Sequence, residues 1–348
     1  YGGTIKECKE KEADLREKIK NGLYTKNRNI TLDKYYQEWK KGREGTIKGN
    51  TALGIESRYK NHIKPALGHR KLVEIEKREI VQLQQKLAEK QKPTTVNTTI
   101  VQLKEIFNSA IADGIIVKSP AAGVRPLKHK GKTAIETYHR ALTEQEQNDF
   151  LEEARQEWLY ELLALLLCTG MRIGEATALT WSDIDYVNNM IHVTKTISRT
   201  AEGQYTIGTP KSKSSIRDIP LTDQSKAILK SQKEKLRSIH GNVIGISWYV
   251  FENFCGGMVF NASANKAITD TIKRMNEKGK PIEHFSAHAL RDTFATRYIE
   301  QGGTSQTLKT ILGHSSIAMT MDRYSHVLPN TKQEEMNKIS SIFKAVTG

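Results

Sequence analysis

Four short stretches of the chain carry side chains that together could work on a phosphate. In TGMRIGE, residues 169–175, Gly170 closes one helix and Arg172 falls at the start of the next, where unsatisfied amides and the positive helix end favour an anion. A guanidinium there builds a phosphate site; the competing reading is an arginine merely paired with Glu175. In HALRDTFATRY, 288–298, His288 and Arg291 sit one helical turn apart on one face, so a proton-moving imidazole and a bidentate guanidinium reach the same phosphate. A helix-surface pair is the plainer alternative. In TPKSKSSIRDIPL, 209–221, Lys211 and Lys213 fall at a hairpin tip, from which a flexible ammonium enters a DNA groove or simply keeps the surface soluble. LGHSSIAMTMDRYSHV, 312–327, sets His314 ahead of Tyr324, with Gly313 and the Ser315-Ser316 pair marking a helix start; an isolated tyrosine belongs as readily to a core.

The elements that must position these groups can be read from periodicity. Residues 6–23 are rich in helix formers and stop at Gly22. From Thr31, Leu32, Tyr35, Tyr36 and Trp39 follow helical spacing, as do Ile80, Leu83 and Leu87, and then Val96, Ile100, Leu103, Phe107 and Ala110 up to Gly114. With a further helix over Leu53 to Ile63, residues 31–118 predict a compact, basic, all-helical domain. The stretch SPAAGVRPLKHKGK, broken by prolines and glycines, reads as a linker. A capping box at Thr143 to Glu146 opens a second domain, helical to Cys168. Residues 190–221 change to short β-branched stretches, predicting one antiparallel sheet of two or three strands. Helices resume through Tyr324, and Met336, Ile339, Ile342, Phe343 and Val346 form an apolar stripe in the tail, suited to a neighbouring subunit or to the chain's own domain.

The 54 basic against 39 acidic residues give a net charge of +15, which suits nucleic acid or an anionic membrane surface. Residues 31–130 hold 20 basic and 10 acidic side chains, which makes them the first candidate for a DNA grip. Cys8, Cys168 and Cys255 are odd in number and widely spaced, which predicts a reducing compartment and no Cys metal site. The most apolar run, around Leu162 to Cys168, is far shorter than the roughly 20 residues a membrane span needs, and no signal segment opens the chain. A soluble intracellular protein is expected, with an N-terminus trimmed ahead of Tyr1.

The order Arg, Lys, His-x-x-Arg, His, Tyr, carried by TGMRIGE, HALRDTFATR and LGHSSIAMTMDRYSHV, resembles the tyrosine recombinase family of the phage lambda integrase type. The wording of the motifs is most similar to integrases of conjugative transposons of Gram-positive bacteria. The resemblance implies a mainly α, two-domain clamp with a small antiparallel sheet. Its parts are a remnant of an arm-binding region and linker helix at 1–28, a helical core-binding, SAM-like domain at 29–120, and a basic linker at 121–141. A catalytic domain at 142–330 and a tail helix for subunit exchange at 331–348 complete it. The strands of the family's arm-binding domain are missing, and position 292 holds Asp where many members have a second histidine.

The resemblance further implies attack by Tyr324 on a phosphodiester, giving a 3′-phosphotyrosine and a 5′-hydroxyl. Arg172 and Arg291 would hold the extra charge of the pentacovalent state, an effect worth roughly 3–4 kcal/mol per donor in comparable anion holes. His314 would add a hydrogen bond, Lys211 rather than Lys213 would protonate the leaving oxygen, His288 would accept the tyrosine proton, and Glu175 would steady the arginines. No metal, ATP or other cofactor is implied, and no carboxylate cluster suited to a two-metal mechanism is seen. The implied partners are double-stranded DNA, a homo-tetramer assembled on it through tail exchange, an excisionase and host DNA-bending proteins, in a bacterial cytoplasm at the nucleoid. The rival readings are a type IB topoisomerase and a non-catalytic DNA-binding regulator.

Overall fold

The computed structural model describes residues 4, 5, 7–10, 12, 13, 29–128, 140–210, 212–241, 245 and 248–318. Residues 5, 7–10, 12 and 13 of the expected leading helix are helical. The rest of that helix, most of the expected linker, Lys211, Tyr324 and the tail lie outside the described residues. The chain divides into two compact units, residues 1–131 with 199–204, and residues 132–198 with 205–348.

The first unit is built from amphipathic helices. Helix α1 (Leu32–Lys41) starts where the Thr31 hydroxyl accepts the Lys34 amide, and it buries the expected stripe of Leu32, Tyr35, Tyr36 and Trp39. Helix α2 (Gly49–Arg58) continues through a π turn at Tyr59–Ile63 into α3 (Lys64–Leu67), so the helix expected over Leu53 to Ile63 is longer and carries a bulge. The bulge seats the Tyr59 ring flat on Tyr36, 3.4 Å between centroids. Helix α4 (Lys77–Ala88) and the long α5 (Pro93–Ala112), which starts with a proline in its first turn, complete the bundle.

The chain beyond α5 corrects the expected linker. Ala121 and Val124 are buried in this unit's core, and the Asn97 side chain both donates to the Leu127 carbonyl and accepts the Leu127 amide. Residues 121–127 are therefore part of the first unit, because their apolar side chains find a place between α4 and α5 that a proline-rich sequence does not reveal.

In the second unit α6 (Glu144–Ala154) opens with the expected box: Thr143 accepts the Glu146 amide at 3.1 Å and Glu146 accepts the Thr143 amide at 2.9 Å. The helical run to Cys168 is interrupted at 155–159, and α7 (Tyr160–Thr169) follows, buried on nearly every side. A helix apolar all round belongs at the centre of a domain, and α7 packs on α9 (Asp223–His240) and α11 (Ala287–Glu300), with α10 (Asn261–Glu277) against α6. Leu142 is tied to α11 at both backbone groups: its amide donates to Thr293 and its carbonyl accepts from Arg297.

Two small sheets replace the single sheet expected. Strands β1 (Ile184–Asp185), β2 (Met190–Val193) and β5 (Arg217–Pro220) form one antiparallel sheet, with Ile191 opposite Ile219 and Val193 opposite Arg217. Strands β3 (Thr196–Arg199) and β4 (Tyr205–Gly208) form the other. The split falls at Thr194 and Lys195, and the Lys195 ammonium bonds Asp183 and the Thr180 hydroxyl, both at 2.8 Å. Helix α12 (Ser305–Leu312) closes the described fold. Among the described residues no helix is long and apolar enough to cross a membrane.

Candidate phosphate-binding site

Helix α7 ends at Gly170 in the left-handed conformation, φ 64°, where a β-carbon would sit 2.4 Å from the Phe294 ring. Only glycine turns the chain here at such close range, and the turn delivers Arg172 to the single-turn helix α8 (Ile173–Ala176). The expected anion site at this helix start is corrected: Oε2 of Glu175 takes the Arg172 amide at 3.0 Å. The glutamate of this one-turn helix thus takes the first of its amides. The Arg172 side chain is about one third exposed, with Nη1 donating to Glu175 Oε1 at 2.8 Å.

Arg291 is nearly fully buried on α11, with Nη1 donating to the Gly170 carbonyl and Nη2 to the Leu312 carbonyl, both at 2.7 Å. His288, one turn earlier, is exposed, so the two residues share a helix but differ in depth. Helix α12 ends in a tight turn: Gly313 is left-handed at φ 67°, its amide bonds the Thr310 carbonyl, and the His314 amide bonds that of Lys309. Gly313 thus ends α12, and the helix start expected in this run follows the Ser315-Ser316 pair, at residues 317 and 318. His314 follows directly and is buried.

The lysine segment is also corrected. Strand β4 pairs with β3 and β5 with β2, so Lys213 lies in a 3-10 turn (Lys213–Ser215) joining two sheets and not at a hairpin tip. This turn runs against the end of α12, since a β-carbon on Gly313 would lie 2.8 Å from the Ser214 carbonyl. Lys211 and Tyr324 fall outside the described residues.

One residue of the site was missed by sequence reasoning. Arg217, on β5, is buried and donates to Glu175 Oε2 at 2.9 Å, to the Ser215 carbonyl at 3.0 Å and to the Ile311 carbonyl. The available signal was its phase: in a strand with period 2, Arg217 shares its face with the buried Ile219. Burial pushes the Glu175 carboxyl upward, but the charge and hydrogen bond of Arg217, then those of Arg172, outweigh it and keep it below the usual carboxylate range.

These contacts share one acceptor row. Ile311 receives Arg217, Leu312 receives Arg291, and Gly313 receives Arg172 Nη2 at 3.3 Å. The last carbonyls of a helix lack intrahelical donors and carry the negative end of its dipole. The carboxyl end of α12 therefore gathers three guanidinium groups from three distant parts of the sequence. An arginine has five donors, more than these anchors use on Arg172, so the cluster is equipped to fork onto an oxyanion.

Comparison with known proteins identifies the family. Residues 31–88 match the phage integrase N-terminal SAM-like domain. A XerC-like tyrosine recombinase of Caldanaerobacter subterraneus subsp. tengcongensis is 29% identical, covering 99% of this chain and 91% of the relative. The transposase of transposon Tn916 from Enterococcus faecalis is 27% identical over 95% of this chain and 83% of its own length. The integrase of transposon Tn1549, solved with a circular intermediate DNA, superposes with a TM-score of 0.75 at 25% identity, covering 89% of this chain and all of that one. Residues 140–331 match the model of the phage integrase family itself, and the chain belongs to that family.

Proposed function

We propose that this tyrosine recombinase cuts and rejoins DNA through a 3′-phosphotyrosine on Tyr324, integrating and excising a conjugative transposon by way of a Holliday junction. Arg172 and Arg291 bind the scissile phosphate, His314 adds a hydrogen bond to it, and His288 accepts the tyrosine proton. Lys211 protonates the departing 5′-oxygen, and Glu175 fixes Arg172. The observation that carries this reading is the row of carbonyls 311–313, which anchors Arg172 and Arg291 immediately before His314, in the segment that leads to Tyr324. Oxyanion donors held in advance act without reorganising at the moment of reaction.

The reading assigns residues 29–120, with 121–127 packed on them, to a core-binding domain and 142–330 to a catalytic domain, joined by the rest of the basic linker. It places a linker helix before them and an exchangeable tail at 331–348. The protein works in the bacterial cytoplasm on double-stranded DNA as a homo-tetramer, with an excisionase and host DNA-bending proteins as accessory partners. Relatives support this: the Tn1549 integrase was solved with transposon right end DNA as well as with a circular intermediate.

The test is a nicked suicide substrate built from the element's ends. Wild-type protein is expected to accumulate a covalent adduct on the 3′-phosphate without metal or ATP, and Tyr324→Phe to form none. Adducts on any supercoiled plasmid, with relaxation by a monomer, would favour a type IB topoisomerase. Specific binding with no adduct would favour a regulator.

A further inference from the structure

We infer that Arg217 is a positioning residue of this site, fixing Arg172 through Glu175 and locking the carbonyl end of α12 ahead of His314. The inference rests on the proposed reading of the site as a phosphodiester-cleaving centre. Arg217 lies within the 209–221 stretch but is not among the residues to which the sequence assigned chemistry.

All three guanidinium nitrogens of Arg217 are engaged, each in a different direction. Nε donates to the Ile311 carbonyl, Nη1 to the Ser215 carbonyl at 3.0 Å, and Nη2 to Glu175 Oε2 at 2.9 Å. These acceptors belong to the end of α12, the turn that holds Lys213, and the short helix that presents Arg172. One planar group therefore joins three of the four motif segments. The fourth, α11, reaches the same row through Arg291 on Leu312.

With Nε, Nη1 and Nη2 each donating to a protein acceptor, Arg217 is committed to its neighbours. Its action runs through its neighbours. Glu175 is the joint, since its two oxygens take Arg217 on one side and Arg172 on the other. Gly313 completes the packing: a β-carbon there would lie 3.1 Å from Arg217 Cδ and 3.2 Å from Nη1. A lysine cannot substitute, because one ammonium on a flexible stem does not span three acceptors set by a rigid fork.

The experiment follows single-turnover adduct formation on the suicide substrate, with DNA affinity by gel shift and thermal melting measured in parallel. Wild type is compared with Arg217→Met, Arg217→Lys, Glu175→Gln and the Arg217→Met/Glu175→Gln double variant. The adduct rate of Arg217→Met at saturating DNA is expected to fall about a hundredfold, the scale of a misplaced reacting group. Its DNA affinity is expected to stay within about threefold, because phosphate contacts across the whole site set binding. Arg217→Lys is expected to recover the rate only in part. In the Glu175→Gln background, Arg217→Met should cost less than about tenfold more, because the main route to Arg172 is already broken.

A wild-type rate in either Arg217 variant overturns the inference. So does the full hundredfold loss repeated in the Glu175→Gln background. If Arg217→Met fails to fold, Arg217→Lys decides: a slowed rate with affinity kept supports the inference, and an unchanged rate overturns it. Absence of any adduct with wild-type protein would instead overturn the reading of the site.

Discussion

The Glu175 carboxylate holds Arg172 twice, taking its backbone N–H on one oxygen at 3.0 Å and its guanidinium on the other at 2.8 Å. Such a buried anion between two cations ties chemistry to stability. Removing one member of a buried, hydrogen-bonded ion group costs about 3–5 kcal/mol, because the remaining charge is left uncompensated. Glu175→Gln is expected to lose stability of that order in urea at neutral pH. Its acid limb should also change. A carboxyl held below the usual 4.5 stabilises the fold above that value and loses its contribution as pH falls through the folded value. The variant should lack this part of the loss; an acid titration identical to wild type would contradict the assignment.

Arg291→Lys tests the second guanidinium. Lysine cannot bridge the Gly170 and Leu312 carbonyls, so one buried acceptor loses its donor at a cost of about 1–3 kcal/mol. The adduct rate should fall about a hundredfold to a thousandfold, as for loss of an oxyanion donor. Denaturant unfolding and suicide-substrate kinetics measure the two effects separately.

Gly313→Ala and Gly279→Ala form a matched pair. Both glycines are left-handed, at φ 67° and 75°, but a β-carbon on Gly279 meets nothing within 4 Å. Each should lose about 1–2 kcal/mol to backbone conformation. Only Gly313→Ala should also slow adduct formation, because its methyl pushes on Ser214 and Arg217. Equal rates for the two would show that the packing around Gly313 does not matter to the chemistry.

In the first unit, burial pushes the Glu56 carboxyl up, but hydrogen bonds from Lys60, Lys40 and Tyr36 bring it from the usual 4.5 to about 2. Its contribution is present above pH 4.5 and fades as pH drops toward 2. Glu56→Gln should flatten the stability of this domain across that window, which circular dichroism against urea at stepped pH can follow.

What the sequence revealed depended on how local the cause was. The α1 stripe from Leu32 to Trp39 and the box at Thr143 and Glu146 are settled within a few residues, and both are found where periodicity predicts. Arg217 was passed over for the opposite reason. Two of its three partners lie 42 and 94 residues away, and an arginine among serines and lysines reads as a surface charge unless its strand phase is followed. The division into two sheets had the same origin, since Lys195 is pulled inward by Asp183 from a preceding turn. Residues 121–127 look like a linker by composition, and only their packing shows Ala121 and Val124 to be core.

The carbonyl row at 311–313 also bears on the making of the protein. A chain emerging from the ribosome folds from its N-terminus as synthesis proceeds, and Arg172, Arg217 and Arg291 all leave the tunnel before carbonyls 311–313, with Glu175, Ser215 and Gly170 at hand to hold them. Until those carbonyls follow, the three cations have no anchor common to all of them. The gathering of the three thus falls in one late step of translation, and a ribosome stalled earlier releases a fragment that lacks the row joining its arginines.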